Sequence, residues 1–104
     1  MSNLPFSEQY RVIGKEWAAA DGAARMLEET KTAVLSQMKM RLGDIADNKA
    51  EKQVKASDEW NDFISRMVKA REHANLKKVQ LKYIEMKSFE WQSLNANARA
   101  EMKL

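Results

Sequence analysis

The chain has 104 residues, with 18 Lys and Arg against 15 Asp and Glu, one His, no Cys, one Pro and three Gly. That length suits one small domain, and a net charge of +3 with 44% apolar and 32% charged residues fits neither a membrane-embedded nor a disordered chain. One Pro and three Gly cannot punctuate a sandwich or barrel, which turns roughly every 8–12 residues, so an all-α fold is expected. The absence of cysteine removes disulfides, thiol chemistry and thiolate zinc sites.

Leu4-Pro5-Phe6 reads as an extended lead-in, with Ser7 as N-cap and Glu8 favourably placed near the positive helix end. Met1 to Phe6 hold no basic cluster and no apolar run, so no secretory signal is expected, and no stretch approaches the length of a membrane span. An apolar line follows at steps of three and four: Tyr10, Ile13, Trp17, Ala20, Ala24, Leu27, Val34 and Met38, interrupted only by Lys31. Gly14 and Gly22 lie inside this first helix, and Asp21-Gly22 is the place where a kink is expected. Gly43, after a basic last turn, is the stop. The spacing therefore predicts helix 1 over about 8–42 and a turn over 43–48, with Asn48 and Glu51 forming a capping box.

From Trp60 the periodicity strengthens. Trp60, Phe63, Met67, Ala70, Ala74, Leu81, Ile84, Trp91, Ala98 and Met102 fall on one line, with Lys77, Ser88 and Asn95 as its polar members. Helix 2 is predicted over about 49–100, with a local break allowed near Lys87-Ser88. A short connection makes such helices antiparallel. The expected fold is thus a single domain, residues 1–104, shaped as a long coiled-coil-like antiparallel hairpin. Met38 and Leu42 should lie near Val54, and Tyr10 near Leu81 and Ile84. By a rise of about 1.5 Å per residue, roughly the last 20 residues of helix 2 should overhang helix 1.

The distal half of helix 2 has a second apolar line, Leu76, Val79, Tyr83 and Met86 with Phe89 close by, nearly opposite the first. A helix apolar on two sides is normally covered on two sides. The expectation is self-association into a four-helix dimer through Leu76, Val79, Tyr83, Met86, Phe89 and Trp91. The alternative is that the overhang folds back as a third helix and closes a monomeric bundle.

Catalytic chemistry is not expected. His73 is the only histidine and reads as a surface or groove-edge residue. The acids Glu28-Glu29 and Asp58-Glu59 with Asp62 read as solvated faces, and the isolated glycines form no phosphate loop. No metal, cofactor or catalytic residue is assigned. Charge is uneven: residues 1–62 carry a net −2 and residues 63–87 a net +5. Clustered Arg66, Lys69, Lys77, Lys78, Lys82 and Lys87, with Tyr83 among them, make nucleic acid a candidate partner. The competing reading is that Arg66, Arg71 and Lys78 flank the apolar seam and pair with helix 1 acids such as Glu28 and Glu16.

Three stretches, Leu4-Pro5-Phe6-Ser7-Glu8-Gln9-Tyr10-Arg11, Ala50-Glu51 through Lys55-Ala56-Ser57-Asp58-Glu59-Trp60, and Met67-Val68-Lys69-Ala70-Arg71, resemble small helical proteins encoded in phages and prophages, some near recombination or early genes. The likeness is one of overall pattern and transfers no catalytic residue. It implies a phage accessory protein in the host cytoplasm, acting as a homodimeric interaction module on a protein partner, with assistance to DNA recombination as the implied role. Direct nucleic-acid binding through 63–87, or inhibition of a host defence enzyme, are the alternatives.

Overall fold

The computed structural model describes residues 3–102. Met1 and Ser2 of the signal reading, and Lys103 and Leu104, lie outside the described residues. Three helices follow one another: α1 Phe6–Arg41, α2 Asp47–Lys55 and α3 Asp58–Met102. α1 and α3 pack side by side as a rod of 83 × 20 × 17 Å. The chain is therefore a long all-α hairpin.

α1 starts one residue before the expected cap. Pro5 occupies the cap position in extended backbone, and its carbonyl accepts the Glu8 and Gln9 amides at 3.0 Å. Ser7 lies inside the first turn and caps nothing. Proline's fixed φ suits the extended entry, and Gln9 Nε2 adds a 2.7 Å bond to the Leu4 carbonyl. The helix runs unbroken through Asp21-Gly22 and ends where expected. Gly43 takes φ +84°, a left-handed turn that costs other residues strain.

Helix 2 divides. Ala56 and Ser57 separate a nine-residue α2 from a 45-residue α3. Ser57 ends one helix and begins the next: its hydroxyl donates to the Val54 carbonyl at 2.5 Å and accepts the Trp60 amide at 3.2 Å. That second bond is an N-cap, with Asp58 and Glu59 in the favourable first turn. The Asn48–Glu51 capping box does not form. α2 begins at Asp47, which pairs with Lys39 at 2.6 Å, and Glu51 pairs forward with Lys55 at 3.1 Å.

The short α2 closes one end of the rod. Val54 packs with Met38, Trp60 and Phe63, and Trp60 stacks on Phe63 at 5.8 Å between ring centres. Leu27, Val34, Leu35 and Ile64 extend this cluster. Midway along, Ala20, Ala24 and Ala74 form the contact, with Ala24 and Ala74 wholly buried. Small side chains there let the two backbones approach. Farther on, Ile13 and Ile84 continue the core. No large side chain is completely buried among the described residues, as expected of a rod two helices thick.

α3 continues without a break through Lys87-Ser88 to Met102, so it does not fold back into a third packed helix. Phe6 packs edge-on against Trp91 at 6.4 Å, which sets the register. Among the described residues the segment beyond α1 is therefore 92–102, eleven residues or about 16 Å of helix, against an expected overhang of roughly 20 residues. Part of the difference is that α1 begins at Phe6 rather than at 8.

Candidate interaction surface on the distal half of α3

The inner apolar line of α3 is spent on α1. The outer line is not. Leu76, Val79, Tyr83 and Met86 are 54–64% exposed, and Phe89 and Trp91 are 60% and 56% exposed. Val68 opens onto the same outer side one helical stretch earlier, at 46%. Exposed apolar side chains of this size are unusual on a monomer when they are contiguous. These six do not share one face. At about 100° per residue, Leu76, Val79, Tyr83 and Met86 point away from α1, Phe89 sits at a lateral edge, and Trp91 turns back to Phe6.

That lateral edge borders a groove between α1 and α3. Tyr10 and Trp17 form one wall; Lys78, Leu81, Lys82 and Glu85 form the other, with Val79 of the outer line reaching its rim, around a hollow of about 460 Å³. A second hollow of about 300 Å³ continues it past Tyr10 to Phe6, Ile84 and Phe89. Tyr10 thus lies near Leu81 and Ile84, in the expected register. Gly14 falls between Tyr10 and Trp17, and a methyl there would stand 3.9 Å from Leu81 Cδ2, an ordinary contact. The sequence puts Tyr10 and Trp17 on the seam, and their lateral offset shows only once the helices are paired. Gly14 between two aromatics one heptad apart is the one sequence feature that coincides with the groove.

The six candidate nucleic-acid contacts are not brought together. Lys77 reaches α1 and donates to Glu16 at 2.7 Å. Arg66 lies over the Phe63 ring at 6.0 Å. Lys87 sits over Tyr83 at 5.8 Å and 3.9 Å from Glu90. Among the described residues Lys69, Lys78 and Lys82 have no ion-pair partner, but Lys69 is about half a turn around the helix from Lys78. Only Lys78 and Lys82 share a rim, that of the groove. Arg71 donates to Glu28 twice, at 2.8 and 2.6 Å, and to Asp21 at 2.8 Å. These bonds hold both carboxyls below the usual carboxylate range and raise the guanidinium further. The seam-flanking pairing thus holds for Arg71 with Glu28, while Glu16 is met by Lys77 rather than Lys78.

His73 is exposed. Among the described residues no three His, Cys, Asp or Glu side chains stand close enough to hold a metal ion, and no helix is long and apolar enough to cross a membrane. No protein-family model, curated protein or solved structure matches the chain.

Proposed function

We propose that the protein is a non-catalytic, self-associating helical module, in which the distal half of α3 joins two hairpins into a four-helix assembly. The observation that carries this reading is the set of large apolar side chains from Leu76 to Trp91 that the single chain leaves more than half exposed. Burying apolar surface at about 25 cal/mol per Å² is the one strong driving force the distal half of this rod has available. The resemblance to phage and prophage helical proteins supports an accessory role in the host cytoplasm, presenting this assembled surface to a partner of a recombination process. Replacing Phe89 by Asp tests the reading, because the side chain is 60% exposed and its loss leaves the hairpin core intact. The variant should have the mass of one chain, 12.0 kDa, where the unmodified protein has that of two. Equal masses for both proteins would count against it.

A second reading, direct nucleic-acid binding, draws support from Lys78 and Lys82, which share the rim of the groove and have no ion-pair partner among the described residues. It requires affinity that falls steeply with salt. Titrating labelled single- and double-stranded oligonucleotides at about 50 mM salt, where such binding is strong, decides it: no signal change eliminates this reading.

A further inference from the structure

We infer that two copies pair antiparallel through the outer face of α3, about a twofold axis at Met86, so that the bulky half of each face lies on the small half of the other and Lys82 of one copy meets Glu90 of the second. The inference rests on the self-association reading and fixes its direction and register.

At about 100° per residue, Val79, Lys82, Tyr83, Met86, Phe89 and Glu90 lie within about 60° of one direction, that of Met86, with Leu76 at the edge of the same face. All are exposed. The direction is opposite Ile84, which is buried in the seam with α1. Beyond α1 the same face continues with Ser93, Asn97 and Ala100, also exposed. The face therefore changes character along its length. From Val79 to Phe89 its side chains are large and mostly apolar; from Ser93 to Ala100 they are small or carry an amide. Such a face fits an inverted copy of itself, because large side chains then meet small ones across the contact.

Charge selects the direction and the register. Turned antiparallel about Met86, each residue faces the one equally far on the other side of Met86. Lys82 then faces Glu90, Val79 faces Ser93, Asn75 faces Asn97, and Glu72 faces the neutral Ala100. Among the described residues Glu90 reaches Lys87 alone, at 3.9 Å, and Lys82 has no ion-pair partner, so both charges are available to the second copy. On one flank Lys82 lies beside Phe89 of the second copy, and on the other Tyr83 lies beside its Glu90. Two methionines, adaptable in shape, meet on the axis. A register centred between Val79 and Tyr83 would instead set Glu72 against Glu90 and Lys82 beside its own copy. A parallel pair would set every charge against itself. Both oppose like charges, which disfavours them.

The chain has no cysteine, so single introduced thiols report the register as disulfide-linked dimers after mild oxidation, with light scattering giving the mass. Met86→Cys should cross-link to its own copy, because the two α carbons fall within the roughly 4.4–6.8 Å that a disulfide spans. Val79→Cys should not, since its two copies stand about 21 Å apart along the helices, yet it should link when mixed with Ser93→Cys. Glu90→Lys should weaken the dimer about tenfold, and adding Lys82→Glu to the same chain should bring the dissociation constant back to within about threefold. A dimeric protein in which Val79→Cys links to itself, or in which Glu90→Lys tightens association, overturns this arrangement and leaves self-association standing. An unmodified protein that keeps one chain's mass in a dilution series from about 100 µM removes both.

Discussion

Arg71 of α3 holds Glu28 of α1 through two parallel hydrogen bonds, Nε to Oε2 at 2.8 Å and Nη2 to Oε1 at 2.6 Å. The same guanidinium donates to Asp21 Oδ1 at 2.8 Å, so one side chain ties two turns of α1 to α3. This forked geometry is specific to arginine. In the folded chain Asp21 and Glu28 hold their protons less tightly than their ordinary values of 3.8 and 4.5. A lowered folded-state value means stability that is full above the unfolded value and is lost as pH falls through the folded one.

Acid should therefore loosen the hairpin partly through Arg71. Between about pH 5 and about pH 3 the melting temperature of the Arg71→Met variant should fall less than that of the unmodified protein. Circular dichroism melts across that range check it. Parallel curves would show that the bridge contributes nothing to the pH dependence.

Gly22 and Gly43 should respond in opposite directions to alanine. Nothing lies within 4 Å of a methyl added at Gly22, in the middle of α1, so Gly22→Ala should stabilise by about 0.5–1 kcal/mol. Gly43 has φ +84°, and Gly43→Ala should destabilise by about 1 kcal/mol. Urea titrations of both variants give the signs directly.

Ala74 is completely buried against Ala20 and Ala24. Ala74→Leu should push the helices apart and cost about 1–3 kcal/mol. The denaturation midpoint reports the loss, and an unchanged midpoint would mean that the helices have room to spare at this crossing.

Ser57 caps α3 by accepting the Trp60 amide. Ser57→Ala should cost about 0.5–2 kcal/mol, and Ser57→Asp, which keeps an acceptor, should recover most of it. Equal losses in the two variants would assign the effect to the hydroxyl's other bond, to the Val54 carbonyl at 2.5 Å.

The heptad steps of the sequence carry the fold because they set which side of each rod is covered, and Trp60, Phe63, Ala74 and Ile84 are all buried on the line they define. Local features are less legible. Between Val54 and Trp60 there is no Gly or Pro to announce a break, but the apolar steps change phase there: carried back from Trp60 they meet Ala56, Gln53 and Lys49 and miss Val54. The Ser57-Asp58-Glu59 run also has the composition of a helix start, so the break is legible in phase and composition though not in Gly or Pro. Ser7 and Asn48 also look like caps, yet Pro5 and Asp47 stand at the actual starts, because an extended proline and an ion pair to Lys39 fix them. One residue is about 100° on a helix, which is why Glu16 meets Lys77 and leaves Lys78 on the rim of the groove. The outer line is fully readable from spacing alone, whereas the groove depends on how far Tyr10 and Trp17 sit to the side of α3.

Self-association of the distal half of α3 is the central claim, and sedimentation equilibrium of the unmodified protein tests it most directly. A weight-average mass near twice 12.0 kDa at about 100 µM, declining toward the single-chain value on dilution, is the result the account predicts. A constant mass of one chain over the whole range would contradict it.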